Sequence, residues 1–399
     1  MLSKRLKLGV CASLVASSLL ITAVAPARAE KKPSSDAAAV GAQAPVPNAS
    51  VPRIQMAILL DTSGSMSGLI NQARNQLWRI VNEFATAKRD GKSPYFEVAL
   101  YEYGHAPLGA KGGFIRNVVP LSDDLDKVSE ELFKLTTNGG EEYCGMVIER
   151  AVSELKWSPS NRDLKCIFIA GNEPFTQGPV DYRTACKAAI EKGITINTIH
   201  CGAENVGVST MWLDGSKMAD GSFMNINHNQ VVHNIAAPQD KELAALSAKL
   251  NTTYVAYGSA KKRKEVLTRQ TDQDANAANA SQAVAAQRAQ TKASRFYSNA
   301  GWDLCDAWTK GVVKIEELKE EDLPEFMRKM SLEDRKAHIE KKVKEREAIK
   351  KQMQELVKTR SAYVAAEMKK LADKGDNTLD QAIVETARSQ AVKKSFKFE

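Results

Sequence analysis

The sequence predicts an α/β fold: a doubly wound, mostly parallel sheet, followed by a mainly helical C-terminal region. Between residues 54 and 226, short apolar runs of strand length alternate with segments of helical period. Strands that are apolar on both faces and alternate with helices are typical of parallel sheets covered on both sides. After Gly258 the composition changes, first to Ala, Gln and Asn and then to a long charged segment.

The elements of the sheet are predicted in chain order. The first strand, residues 54–60, ends at a polar turn, and a helix follows at about residues 69–88. Later strands are predicted at residues 95–103, 114–119, 166–170, 195–200 and 222–226. The helices between them are predicted at residues 124–135, 144–155 and 182–192. This order of elements places strand ends and helix starts at one edge of the sheet, where ligands bind in open α/β folds.

The long charged segment, residues 331–373, predicts a single helix. Ser331 and Asp334 are spaced to cap its start, with Asp in place of the usual Glu. An apolar stripe runs along it, but four charged residues interrupt the stripe: Arg346, Lys350, Arg360 and Glu367. The heptad pattern of a coiled coil is therefore poor. Either a helix docked along one edge of the protein or a loose partner helix fits this pattern.

The first 29 residues are typical of a secretory signal peptide. Lys4, Arg5 and Lys7 precede an apolar stretch over residues 8–25, and Ala27-Arg28-Ala29 fits signal peptidase. We expect cleavage before Glu30 and a periplasmic or secreted product; an uncleaved membrane anchor is the alternative. Residues 30–52 have the Ala- and Pro-rich composition of a linker. We expect residues 53–258 to form one independently folding domain and residues 259–399 a charged helical region.

The positive charge of the chain lies mainly in that last region. The net charge is +8, and residues 259–399 hold 30 basic and 23 acidic side chains. Residues 53–258 hold 20 basic and 23 acidic side chains, so the central domain is slightly acidic. Nucleic-acid binding requires basic residues clustered on one face, and we expect no nucleic-acid partner. The basic tail allows weak association with the cell envelope, although its interspersed Lys and Glu also fit a solvated helix.

The chemistry-bearing segment is Asp61-Thr62-Ser63-Gly64-Ser65, directly after the first predicted strand. It supplies one carboxylate and two hydroxyls, at positions i, i+2 and i+4 of a glycine-containing turn. These are hard oxygen ligands of the kind that Mg²⁺ binds, usually with several waters. The turn therefore predicts a divalent cation site, for Mg²⁺ or alternatively Mn²⁺ or Ca²⁺.

The segment from Ile58 to Met66 resembles the metal-dependent adhesion-site (MIDAS) signature of von Willebrand factor type A (VWA) domains. The resemblance covers roughly residues 53–226. It implies a Rossmann-like sheet of about six strands, one of them antiparallel, with a divalent cation at its top. It also implies that a partner protein reaches the cation through an acidic side chain.

Two further ligands are implied by the resemblance. The family places a Thr after a Gly-Gly loop, or a Glu in the subgroup that includes integrin β-type domains; here Glu142 fits, with Ile148 six residues on. Glu141, Thr136 and Thr137 are the alternatives. The family's Asp after the fourth strand is replaced by Asn172, which offers a carbonyl oxygen but no charge. Glu173 could compensate if its side chain turns inward. The predicted cation site thus comprises Asp61, Ser63, Ser65, Glu142 and Asn172.

Other residue patterns limit the classes of function. Three cysteines are expected near the same edge, and a disulfide among Cys144, Cys186 and Cys201 is plausible. Cys166 and Cys305 are expected to be packing residues. The histidines, including His228 and His233, lack zinc-site spacing, and no nucleophile elbow or phosphate loop is present, so we expect no enzyme activity.

Two functions remain from these patterns. The first is an exported binding protein that engages an acidic residue of a partner through the cation site. The second is a metal-free structural scaffold in which the hydroxyls of the turn only cap the helix, and the helical tail mediates the interaction.

Overall fold

The structure is a computed structural model that describes residues 51–229, 234–371 and 379–398. The predicted signal peptide, most of the predicted linker, and His233 lie outside the described residues. Among the helices inside these ranges, none has the length and apolar content required to cross a membrane.

The described residues contain strands β1 (Arg53–Asp61), β2 (Ala87–Lys88), β3 (Tyr95–Tyr103), β4 (Arg116–Ser122), β5 (Leu164–Gly171), β6 (Thr195–Cys201), β7 (Phe223–Ile226) and β8 (Lys397–Phe398). Six of them form one sheet in the order β4-β3-β1-β5-β6-β7, and β2 pairs with β8. Only the β3–β4 pair of this sheet is antiparallel. The predicted mostly parallel sheet is confirmed. The strand predicted at residues 114–119 starts later, because Gly113 and Phe114 adopt positive φ of 66° and 57°.

The helices are α1 (Ser67–Phe84), α2 (Leu125–Lys134), α3 (Cys144–Glu154), α4 (Tyr182–Glu191), α5 (Glu204–Ser209), α6 (Trp212–Met218), α7 (Asp240–Asn251), α8 (Ala260–Ala280), α9 (Gln282–Ala293), α10 (Leu304–Thr309), α11 (Glu325–Arg328), α12 (Leu332–Leu371) and α13 (Leu379–Lys393). Residues of α3, α4 and α6 pack on one face of the sheet. Residues of α1, α2 and α13 pack on the other face, together with Ala277 of α8 and Val284 of α9. The sheet is therefore covered on both sides, as its apolar strands require.

The hydrophobic core crosses the predicted boundary at Gly258. Leu379, Ile383 and Ala387 of α13 are fully buried in the same cluster as Met56 and Phe168 of the sheet. The boundary marks a change of composition, whereas the packing is continuous across it. A polar contact also fixes the position of α13: Leu379 N–H donates to the side-chain amide oxygen Oε1 of Gln72 (3.1 Å).

The charged helix α12 is docked on the protein through two of the four residues that interrupt its apolar stripe, Arg346 and Arg360. Arg346 is buried, and its Nη1 lies 2.6 Å from both Asp303 Oδ2 and Asp306 Oδ1. Arg360 is buried and donates to Asp240 Oδ1 at the start of α7 (2.7 Å). At the helix start, Asp334 N–H donates to Ser331 Oγ (3.1 Å). Of the two arrangements that the sequence pattern allowed, a docked helix and a loose partner helix, the structure has the docked one.

Candidate functional site

The candidate site lies where the parallel strands end at one edge of the sheet. Asp61 pairs with Tyr103, and Gly171 pairs with His200, so four neighbouring strands end at nearly the same level. The turn after β1 therefore faces the loops after β3 and β5. Loops that follow neighbouring parallel strands form the usual ligand crevice of such sheets.

Asp61 is a fully buried carboxylate with one oxygen left unpartnered. Its Oδ1 accepts a hydrogen bond from Ser63 N–H (2.7 Å). Within the described part of the chain, no donor completes a hydrogen bond to the buried Oδ2. Burial raises the pKa of Asp61 to about 6, although the backbone and hydroxyl of Ser63 lower it in part. A buried acceptor without a partner is costly, so Oδ2 is open to a further donor or to a cation.

Glu142 comes from the loop before α3 and lies close to Asp61. It is 7% exposed, and burial together with the charges of Asp61 and Glu173 raises its pKa to about 7. Gly104 lies between the two acids: a Cβ there would be 2.9 Å from Glu142 Cγ and 3.0 Å from Asp61 Oδ1. Two carboxylates from separate loops thus lie close to each other. The alternative, Glu141, is exposed and accepts a hydrogen bond from Gln177.

The remaining predicted ligands occupy different environments. Asn172 follows β5 and is half-buried, and its Oδ1 is a second buried acceptor without a donor among the residues described. Ser63 is buried, and its hydroxyl lowers the pKa of both Asp61 and Glu142. Ser65 lies in the same turn with an exposed side chain. The structure therefore groups Asp61, Ser63, Glu142 and Asn172, and it leaves Ser65 at the open side of the turn.

Two residues of the site have no counterpart in the sequence-based prediction. Tyr103 is buried and donates through its hydroxyl to Ala170 O (2.9 Å), which ties the end of β3 to the end of β5. Gly104 has φ of 78° and admits the two acids on either side of it. The predicted strand order could have indicated both residues, because a parallel strand at residues 95–103 must end at the same edge of the sheet as the strand at residues 54–60.

These residues fit a divalent cation. Two carboxylates, a hydroxyl and an amide oxygen are the hard donors that Mg²⁺, Mn²⁺ and Ca²⁺ prefer. Two of the acceptors, Asp61 Oδ2 and Asn172 Oδ1, are buried and lack donors within the described ranges. In the same ranges, no three Asp, Glu, His or Cys side chains converge as a ready-made metal cluster. Any cation here would consequently depend on hydroxyl, amide and water oxygens as well as carboxylates.

The expected disulfide is not formed. The described cysteines, Cys144, Cys166, Cys186, Cys201 and Cys305, are all buried free thiols. Cys201 belongs to the core on one face of the sheet, whereas Cys144 and Cys186 belong to the core on the other face. Cys186 Sγ instead contacts Gly215 O (3.5 Å).

Comparison with known proteins identifies the class. The family profile described as "von Willebrand factor type A domain" matches residues 55–236. No curated protein gives a significant match to the chain.

Solved structures that resemble this chain include three that cover less than half of it. Proximal thread matrix protein 1 from the mussel byssus is 14% identical at a TM-score of 0.33, over 44% of this chain and 41% of that one. The SpRpn10 VWA domain is 15% identical at a TM-score of 0.34, over 45% of this chain and all of that one. The pilus adhesin SpaC from Lactobacillus rhamnosus GG, in its open conformation, is 12% identical at a TM-score of 0.34, over 45% of this chain and 28% of that one. The chain thus spans less than half the length of the mussel protein and of the adhesin.

Residues 55–236 of this chain form a von Willebrand factor type A domain. Domains of this family are in general protein-interaction or adhesion modules, and they often bind a divalent cation at the carboxyl edge of the sheet. Membership of this family therefore indicates a protein-interaction or adhesion function for the central domain.

Proposed function

We propose that this chain is an exported binding protein whose VWA domain engages a partner protein through a divalent cation. The observation that carries the proposal is the buried, unpartnered Oδ2 of Asp61 at the carboxyl edge of the sheet, where Asp61 Oδ1 and Glu142 both lie beside Gly104. Asp61, Ser63, Ser65, Glu142 and Asn172 would hold the cation. When bound, Mg²⁺, Mn²⁺ or Ca²⁺ would accept an oxygen of an acidic side chain from the partner.

The residues of the chain have separate parts in this site. Asp61 and Glu142 supply negative charge at a buried position, where electrostatic interactions are stronger than in bulk water. Ser63 N–H engages Oδ1 of Asp61 and leaves Oδ2 without a donor among the described residues, available to a cation. Asn172 supplies a neutral oxygen, and Ser65 lies at the exposed side, where a partner would approach. Preorganised groups of this kind give a binding site orientation and specificity.

The experiment is a thermal melt of the full mature chain with EDTA, Mg²⁺, Mn²⁺ or Ca²⁺. A cation that binds only the native state raises the melting temperature, with a gain of about 2.7 kcal/mol at one hundred times its dissociation constant. We expect this rise in the wild type, and none in Asp61→Ala or in the double variant Ser63→Ala/Ser65→Ala. Ser67→Ala is the matched control, because Ser67 is exposed at the first position of α1.

Asn172→Asp should strengthen the response, since it adds a charge beside Asp61. If none of the three cations changes the wild-type melt, the domain is a metal-free scaffold. The helical tail, with its net positive charge, then becomes the element that contacts a partner or the envelope.

Export rests on the first 29 residues, which lie outside the described structure. We propose that the chain is cleaved before Glu30 and reaches the periplasm or the medium. Mass spectrometry of the exported protein should find Glu30 at its N-terminus. A product that retains Met1 in the membrane fraction would favour an anchor instead.

A further inference from the structure

A cleft lies between helices α7 and α8, over α9 and outside the VWA domain. α7 and α8 each pack on α9, and they meet each other where Asn251 Nδ2 donates to Asp274 Oδ2 (2.8 Å). Beside this contact there is an open cavity of about 310 Å³. The apolar part of its wall consists of four alanines: Ala244, Ala248, Ala278 and Ala285. Packed helices normally fill such a gap with larger side chains, so the cleft exists because these four are small.

The core of these helices is closed without the cleft. Leu243 and Leu250 of α7 are fully buried in one apolar cluster with Met353 of α12. Ala244 and Ala248, one helical turn apart on the same helix, line the cleft instead. The cleft is therefore a surface feature beside the core, and a larger side chain can occupy it without displacing core residues.

The floor of the cleft is polar, and its charges are balanced. Asp274 lines it with a side chain that is 23% exposed, while Arg288 and Lys292, which hold that carboxylate, are buried. Lys292 Nζ lies 2.8 Å from Asp274 Oδ2, and Arg288 Nη1 lies 2.7 Å from Asp126 Oδ1, so two acids neutralise two cations. An ion in the cleft would lose hydration without meeting an opposite charge that is still unpaired. The floor therefore favours an uncharged ligand.

A buried hydroxyl with an unused proton indicates where such a ligand would be held. Ser247 lines the cleft and is 8% exposed. Its Oγ accepts from Lys292 Nζ (2.9 Å), and no described residue accepts a hydrogen bond from its hydroxyl. The same Nζ donates to Asp274, so the serine and the carboxylate lie side by side. Asp274 Oδ1 accepts only from Arg288 Nε within the described ranges and can accept a second hydrogen bond.

The size and wall of the cleft limit the ligand further. Small-molecule sites usually enclose about 300–1000 Å³, are mostly apolar and carry a few polar groups that fix orientation. The cleft, at about 310 Å³, lies at the lower end of this range. Alanine side chains offer no hydrogen bonds, so the additional hydroxyls of a sugar or polyol would stay unpaired against them.

We propose that the cleft binds a small uncharged alcohol. Its hydroxyl donates to the Asp274 carboxylate and accepts from the Ser247 hydroxyl, and its hydrocarbon part contacts the four alanines. This site is separate from the proposed cation site and does not depend on it.

The test is a ligand-observed NMR titration of the full mature chain with three compounds that share one ring. They are cyclohexanol, the cyclohexylammonium ion and cyclohexanecarboxylate. We expect cyclohexanol to bind with a millimolar dissociation constant. The two ions should bind at least about tenfold more weakly, because the balanced floor does not offset their loss of hydration.

Variants of the wall and of the floor locate the bound compound. Ala248→Leu and Ala278→Leu fill the cleft from opposite helices, and each should abolish cyclohexanol binding. Ala245→Leu is the matched control, because Ala245 is exposed on α7 outside the cleft, and it should bind like the wild type. Ser247→Ala removes one hydrogen bond and should weaken binding by roughly 2- to 10-fold. Melting temperatures report whether each variant is folded.

The contrary outcomes are distinct. A wild type that does not bind cyclohexanol overturns the proposal, and so does binding that survives both leucine variants, since the compound would then lie elsewhere. Tighter binding of either ion would contradict the assignment of an uncharged ligand. Equal binding by Ser247→Ala would contradict the position given to the hydroxyl.

Discussion

At the scale of single residues, the geometry of the candidate site depends on Gly104 as much as on the proposed ligands. Gly104 has φ of 78°, and a Cβ at this position would meet both Glu142 Cγ (2.9 Å) and Asp61 Oδ1 (3.0 Å). Glycine adopts positive φ without steric cost, and here it also leaves the gap through which the two acids approach each other. The separation of the two acids is therefore limited by a residue that is not itself a proposed ligand.

Gly104→Ala should destabilise the fold and remove the cation response, because its methyl group pushes Asp61 and Glu142 apart. The strained backbone alone costs about 1–3 kcal/mol. Gly109→Ala is the control, with φ of 75° but nothing within 4 Å of the new methyl group. Urea unfolding and Mn²⁺-dependent melts measure both effects. We expect both variants to lose stability and only Gly104→Ala to lose the response; a normal response would show that Gly104 does not set the site.

The sequence points more directly to the candidate ligands than to the residues that support them. Asp61 and Ser63 are proposed from a turn five residues long, and Glu142 from its spacing to the following helix. Tyr103 and Gly104 carry no local sequence motif. They reach the site only because β3 pairs with β1, whose paired residues are 42 positions apart in the chain. Their position follows from the topology, which no short window of sequence contains.

At the scale of elements, strands were predictable and the docking of the C-terminal helices was not. The strand predicted at residues 95–103 is observed as Tyr95–Tyr103, because apolar runs between turns determine it locally. Arg346 and Arg360 interrupt the apolar stripe of α12, so the sequence pattern also allowed a helix that is not docked. In the structure, Arg346 pairs with an acid 43 residues away and Arg360 with an acid 120 residues away, and sequence periodicity cannot reveal such partners.

The same kind of polar contact joins α7, α8 and α9. Asp274 Oδ1 accepts from Arg288 Nε, while its Oδ2 accepts from Lys292 Nζ (2.8 Å) and from Asn251 and Gln270. Arg288 and Lys292 are fully or almost fully buried. Burial by itself would raise the pKa of Asp274, but Arg288 and Lys292 outweigh it and hold this pKa at about 2.

Asp274 should therefore contribute stability that acid removes. Its folded-state pKa lies below its unfolded value of about 4, so the contribution is complete above pH 4 and falls as the pH approaches 2. The shift corresponds to about 2 kcal/mol. We expect Asp274→Asn to cost at least that much at pH 7, and the difference from the wild type to shrink between pH 4 and pH 2 in urea unfolding.

Asp272→Asn is the control for this prediction, because Asp272 is exposed on the same helix. It should follow the wild type at every pH. A stability difference for Asp274→Asn that does not change with pH would contradict the assigned pKa.

At the scale of the whole molecule, the C-terminal region completes the core of the VWA sheet. Phe296 stacks on Phe96 of β3 with ring centroids 5.1 Å apart. Asp126 of α2 is buried, and its partners Arg288 (2.7 Å) and Tyr297 (2.6 Å) both come from beyond Gly258. Elsewhere on the sheet, Asn197 of β6 accepts a hydrogen bond from Gln390 of α13 (2.7 Å).

A fragment of residues 52–258 should consequently fail to fold cooperatively, although its composition alone suggests an independent domain. It would expose the apolar surface that α9 and α13 cover, and Asp126 would lose its partners Arg288 and Tyr297. Whole domains are stable by only about 5–15 kcal/mol, so opening one face of the core can exceed that margin. We expect the fragment to aggregate or to bind a hydrophobic dye, while residues 30–399 melt in one transition. Asp126→Asn in the fragment should recover little, since the apolar face stays open. A cooperative melt of the unmodified fragment would show that the helical region is an added layer, and that the sheet closes its core without it.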